Sequence, residues 1–142
     1  MPQPPIAIDE MLRSYASAVA AKDAEALMRL YDPHVRVFDA WDNWIYEGAV
    51  AWQTVVRNWF DSLGEETVRV TFDDTQSSGG QELAIVSAIV TYAGLSAQGQ
   101  VLRSLQNRIT WALRLSDPGP RIIHEHTSAP IGFSDMKAIL KR

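Results

Sequence analysis

The sequence predicts a single α+β domain in which three N-terminal helices pack on a strongly curved antiparallel sheet, and three observations carry that prediction. Apolar residues recur at helical spacing through the first part of the chain, the period falls to two beyond Gly64, and Gly/Pro/Ser clusters then cut the sequence into hairpin-length strands. At 142 residues, 46% of them hydrophobic, the chain can bury a real core but cannot comfortably hold two domains, so residues 1–142 are read as one unit.

The elements follow in order. Pro4 and Pro5 cannot sit inside a helix, so the first begins just after them and carries Ile8, Met11, Leu12, Tyr15, Ala16 and Val19 on one stripe to about Ala21. Asp23 can cap a short second helix with Leu27, Leu30 and Tyr31 as its apolar stripe, stopped by Asp32-Pro33. Val35 and Val37 flanking Arg36 predict a half-buried strand to about Asp39, and Trp41 to Gly48 a loop. The third helix is the plainest: Trp52, Val55, Val56, Trp59, Phe60 and Leu63 share one face, with Gly64 available to end it. Val68, Val70 and Phe72 then alternate with polar residues, SSGG at 77–80 makes a turn, and Leu83 to Tyr92 is apolar on both faces. Gly94 and Gly99 bracket the next turn, Val101 to Leu115 forms a long strand, Asp117-Pro118-Gly119-Pro120 a tight connection, and Arg121 to Ser128 the last strand before a short tail.

A bent sheet wrapped around helices leaves a cavity where the two cannot fully close, and that cavity is the candidate site. Strands apolar on both faces need a second cover, which a second copy of the chain would provide, so a homodimer or larger ring is expected. The formal charge of −4 gives no pull toward polyphosphates, which excludes nucleic acid as an expected partner. No stretch approaches the roughly 20 apolar residues of a spanning helix, the N-terminus lacks the pattern of an export signal, and a cytoplasmic location without membrane contact is the expectation. The absence of cysteine excludes disulfides and thiolate chemistry. No cofactor is implied.

SYASAVAAKDAEALMRLYDPHVRVFD, YEGAVAWQTVV, NRITWALRL and RIIHEHTSAP, in that order, resemble the motifs of the SnoaL-like, ketosteroid-isomerase-like family of the NTF2-like superfamily, across nearly the whole chain. The resemblance implies the cone-shaped cystatin-like fold. The chain also resembles the association domain of calcium/calmodulin-dependent protein kinase II, a binding and oligomerising relative. Ketosteroid isomerase carries an oxyanion-binding tyrosine on its first helix and a general-base aspartate on its first strand; Tyr15 and Asp39 match those positions. The isomerase also has a protonated aspartate on a later strand, and here Arg108 or Thr110 stands in its place, so the chain departs from that pattern.

From the residues themselves, Asp39 beside Trp41, Trp44 and Trp52 would be partly desolvated, which makes it a better base; alternatively it accepts loop amides between Ala40 and Asn43. Tyr15 can donate to an oxyanion or simply be core with its hydroxyl satisfied. Arg108 interrupts an apolar strand and needs a carboxylate, from a ligand or from Asp39, Glu47 or Glu125; the kinase association domain places an arginine in its pocket there, as the resemblance implies. His124-Glu125-His126 points two imidazoles to one strand face, yet lacks the further ligands of a metal site, so no metal is expected. If Leu115 pairs with Arg121, then Arg108, Thr110, His124 and His126 face the cavity; a one-residue slip turns Glu125 inward instead. Trp41, Trp52 and Trp59 can form an aromatic wall, or Trp52 and Trp59 can be core. His34 reads as a surface turn residue.

Two functions are therefore expected in competition. One is an isomerase or lyase that abstracts a proton next to a carbonyl, with Asp39 as base and Tyr15 plus Arg108 holding the enolate. The other is a non-catalytic module that binds a small apolar or carboxylate-bearing ligand through Arg108 and oligomerises.

Overall fold

The computed structural model describes residues 6–116 and 119–142; Pro4, Pro5 and the Asp117-Pro118 half of the expected connection lie outside the described residues. Helix α1 (Ile6–Ala20) buries Ile8, Met11, Leu12, Tyr15 and Val19 of the expected stripe, with Ala18 buried as well and Ala16 half-buried. Asp23 caps α2 (Ala24–Met28) by accepting the Ala26 amide at 3.0 Å. This helix is shorter than its apolar stripe suggests, because Tyr31 instead opens β1 (Tyr31–Phe38). Pro33 is tolerated inside that strand because the ladder to β6 is irregular between Tyr31 and Arg36. The expected loop holds a two-residue strand, β2 (Tyr46–Glu47), and Gly48 at φ +87° then turns the chain into α3 (Ala49–Ser62). The second half is a meander of β3 (Thr67–Gly79), β4 (Leu83–Leu95), β5 (Val101–Arg114) and β6 (Arg121–Ser128), so SSGG is largely strand and Gly94 lies within β4.

All six strands join one open sheet in the order β2-β1-β6-β5-β4-β3. The sheet is mixed rather than wholly antiparallel, since β1 runs parallel to β6. Short turns force β3 to β6 to alternate in direction, whereas most of the chain separates β1 from β6 and imposes no such rule. Register shifts at Asp73/Gln76, Gly94/Leu95 and Ala112/Leu113 place bulges that bend and twist the strands. One face of the sheet and all three helices share a core in which Leu27, Val35, Val37, Val90, Trp111, Leu113 and Ile122 are fully buried. Beyond Ser128, where β6 ends, the tail loops out and returns so that the Leu140 carbonyl accepts the Gln106 amide at 2.7 Å, which covers the otherwise free edge of β5. Among the described residues no helix is long and apolar enough to cross a membrane.

Beside the turn Arg114, not Leu115, opposes Arg121. Strand β6 then skips Ile123 between the Leu113–Ile122 and Ala112–His124 rungs, which restores the expected pairing from there on, with Thr110 opposite His126 and Arg108 opposite Ser128. Arg108, Thr110, His124 and His126 therefore share one face as expected, but that face is the outer one, while Ile109, Trp111, Glu125 and Thr127 turn inward.

Candidate functional site

Between the helices and the inner sheet face lies a cavity of about 1150 Å³. Tyr15 from α1, Asp39 just beyond β1, Trp41 from the loop between β1 and β2, and Trp52 and Trp59 from α3 all line it. These five predicted residues are thus brought to one hollow, although Trp41 stands at the rim, 47% exposed. Trp52 and Trp59 serve the core as well as the cavity wall: Trp52 tilts against Tyr46 at 5.5 Å between ring centres, and Trp59 meets Tyr92 edge-on at 5.9 Å.

Asp39 is half-buried, and its carboxyl accepts the Thr127 hydroxyl at 3.0 Å, while that same hydroxyl oxygen accepts the Ala40 amide at 2.8 Å. Burial pushes its pKa above the usual carboxylate range; the Thr127 bond and the nearby Trp41 and Ala40 amides pull against that shift without cancelling it. The loop-amide contact expected from sequence and the desolvation expected of a base are both present.

Tyr15 is 4% exposed, and its hydroxyl lies 2.8 Å from the Tyr92 hydroxyl. Burial, first of all, raises both phenols well above their ordinary range, so each keeps its proton. One hydrogen makes the bond between them. The other remains to be donated to a molecule in the cavity.

Sequence reasoning placed Glu125 only as a partner for Arg108 or as the product of a register slip; it turns inward without a slip, paired with Trp111 as the expected register has it, because the inner face carries the other parity. Glu125 is 2% exposed and lines the cavity, and its Oε1 accepts the Tyr31 hydroxyl at 2.6 Å and the Trp111 indole N–H at 2.9 Å. Desolvation outweighs both bonds and pushes its carboxyl up to about 7. Asn107, also inward and 4% exposed, lines the wall with an amide. Trp52 Nε1 is a sealed side-chain donor without a hydrogen-bond partner, the sole such atom among the described residues.

Arg108 and His126 require correction as cavity residues. Both are exposed on the opposite face of the sheet, where Arg108 Nε donates to Ser128 Oγ at 3.0 Å and His126 packs edge-on against Phe38 at 5.3 Å. Thr110 and His124 follow them outward, with His124 Nδ1 bound to the Arg36 carbonyl at 2.6 Å. The cations on the cavity lining are Arg103, which crosses the bare backbone of Gly94 and pairs with Glu66, and Lys141 in the tail. Among the described residues no three His, Cys, Asp or Glu side chains gather to hold a metal ion.

An aromatic-walled hollow lined by Asp39, Glu125 and a phenol pair, with Asp42 exposed at its rim, suits a small-molecule pocket domain. The family pattern described as a SnoaL-like domain matches residues 8–132, so this chain belongs to the SnoaL-like family. It is similar in fold to an NTF2-like protein of unknown function from Pseudomonas putida KT2440 (TM-score 0.78, 20% identity, covering 95% of this chain and 92% of that one). A protein with a cystatin-like fold from Nostoc punctiforme aligns with TM-score 0.73, 12% identity and coverage of 91% and 92%. A Xanthomonas campestris protein, named provisionally as a calcium/calmodulin-dependent protein kinase II association domain, aligns with TM-score 0.73, 14% identity and coverage of 87% and 85%. At these identities the likeness shows the NTF2-like, cystatin-like fold. No curated protein matches the sequence.

Proposed function

We propose that this protein acts on a small, partly apolar carbonyl compound by abstracting the proton next to its carbonyl, with Asp39 as base and the Tyr15–Tyr92 pair donating to the enolate oxygen. The observation that carries the reading is that a desolvated carboxylate and a protonated phenol pair line the same hollow. Desolvation raises the proton affinity of Asp39 toward what a base needs, and a fixed donor in a dry site stabilises developing charge far better than water does. Asn107 adds an amide on the same wall. The test is exchange of the α-protons of 4-phenylbutan-2-one in deuterium oxide, followed by NMR. Asp39→Asn is expected to slow exchange by on the order of 100-fold or more, and exchange unchanged in that variant would refute the base. The competing carboxylate-binding reading rested on Arg108, which faces away from the cavity.

We propose further that the outer sheet face meets a second copy of the chain. Leu83 and Ile85 on β4 are each 56% exposed there, an apolar surface that a lone domain leaves in water. Sedimentation equilibrium is expected to give twice the 15.8 kDa of one chain, and a species of one chain's mass would contradict the pairing.

A further inference from the structure

Proton abstraction by Asp39 leaves Glu125 without a part, although it is among the most deeply buried side chains in the molecule. A carboxyl so buried normally keeps a cation beside it. Among the described residues none forms a salt bridge with it; the titratable groups facing it are Tyr15 from α1, Tyr31 from β1, Tyr92 from β4 and Asp39 beyond β1, with Arg103 and Lys141 elsewhere on the lining. Its two oxygens are treated differently. Oε1 is filled by the Tyr31 and Trp111 donors, whereas Oε2 has no protein partner and is not sealed, so it opens on the cavity that Glu125 lines. An uncharged carboxyl held this way carries its proton on Oε2, facing whatever occupies the hollow.

Glu125 and Thr127 are successive inward positions on β6, roughly 6.5 Å apart by strand geometry, and Thr127 is the residue that holds Asp39. The two carboxyls therefore stand side by side along one wall, one poised to take a proton and the other to give one. A simple shift of a double bond can be run by one carboxylate that returns the proton it took. Where an oxygen departs, a proton donor at the leaving group is needed as well, and a protonated carboxyl is a far stronger acid than the phenols of the pair.

We propose that Glu125 is the general acid of this site and that the substrate class is a β-hydroxy carbonyl compound, which the protein dehydrates. The inference rests on the reading of Asp39 as base. The α C–H bond breaks and its proton passes to the Asp39 carboxylate; the electron pair forms the carbon–carbon double bond through the enolate as the β C–O bond breaks. The departing oxygen takes the Glu125 proton and leaves as water. An α,β-unsaturated carbonyl compound remains, with Asp39 protonated and Glu125 ionised, and exchange of one proton with water restores both. No oxidant, reductant or co-reactant is required.

The experiment pairs two probes. With 4-phenylbutan-2-one, which has no leaving group, α-exchange reads Asp39 alone; with 4-hydroxy-4-phenylbutan-2-one, the ultraviolet absorbance of the unsaturated ketone reads elimination. Glu125→Gln, whose amide oxygen still accepts from Tyr31 and Trp111, is expected to lose elimination by on the order of 100-fold more than it loses exchange. Asp39→Asn is expected to lose both. Undiminished elimination in a folded Glu125→Gln protein, or a wild type that exchanges but does not eliminate, overturns the role of Glu125 and leaves Asp39 standing. A wild type that does not exchange, or exchange surviving in Asp39→Asn, overturns the base and this inference with it. Should Glu125→Gln fail to fold, the wild-type pH profile decides: elimination is expected to fall by about tenfold per pH unit above about 7 while exchange does not, and parallel profiles overturn the proposal.

Discussion

Trp111→Ala is expected to destabilise the protein by about 3–5 kcal/mol, the range for removing a large aromatic side chain from a close-packed core. Trp111 is 2% exposed and packs against Tyr15 at 5.5 Å and Phe72 at 6.2 Å between ring centres, so helix α1 and the inner sheet face lose their shared contact together. Its indole N–H also donates to Glu125 at 2.9 Å. Trp111→Phe separates the two effects: it keeps most of the ring volume and removes the donor, at an expected cost of about 1–3 kcal/mol. Urea denaturation of the three proteins measures both quantities. A loss below about 1 kcal/mol for the alanine variant would mean that the sheet and α1 do not depend on this side chain.

The second large effect is on the pH dependence of stability, and its sign is the reverse of the usual carboxylate case. Burial raises Glu125 from an ordinary 4.5 to about 7 in the folded protein. Between those values the native state holds a proton that the unfolded chain has released, so stability falls with rising pH. The contribution is full below about 4.5, is lost as pH climbs through about 7, and is constant beyond; the gap, at about 1.36 kcal/mol per pH unit, comes to roughly 3 kcal/mol. Asp39, also raised by burial, acts in the same direction. Glu125→Gln cannot ionise, so relative to wild type it is expected to gain stability from pH 5 to pH 8 by an amount of that order. Unfolding free energies of the two proteins at each pH provide the check, and parallel curves would show that Glu125 titrates normally.

The helices were legible because each buries one stripe, and a stripe of period 3.6 leaves its mark on the sequence without help from the rest of the fold. The strand containing Pro33 and the parallel placement of β1 were not, because both depend on β6, some 90 residues away. Within the site, the inward placement of Tyr15, Trp52 and Trp59 was legible from helix spacing, that of Asp39 from the family resemblance, and that of Trp41 from its nearness to Asp39 in the chain. Arg108 and His126 were expected inward and lie outward, because pairing fixes which residues share a face but not which face turns to the helices. A usable signal did exist in β5: Ile109, Trp111 and Leu113 alternate with Arg108, Thr110, Ala112 and Arg114, and two arginines on one parity mark the face turned toward solvent. Parity in β6 was hidden. Ile122 and Glu125 are both buried although three residues apart, since the ladder skips Ile123 between its Leu113 and Ala112 rungs.

That single skipped rung decides more than the path of the chain. Were the ladder uninterrupted from Ile122 onward, the alternation would carry a pair of imidazoles into the hollow and leave the acid outside, turning a proton-donating wall into a basic one with the same amino acids. The chemical character of this pocket is thus written in chain length over one short stretch as much as in residue identity. Across the wider family, a gain or loss of one residue near the end of the sheet would be a more abrupt route to new reactivity than any substitution inside the cavity.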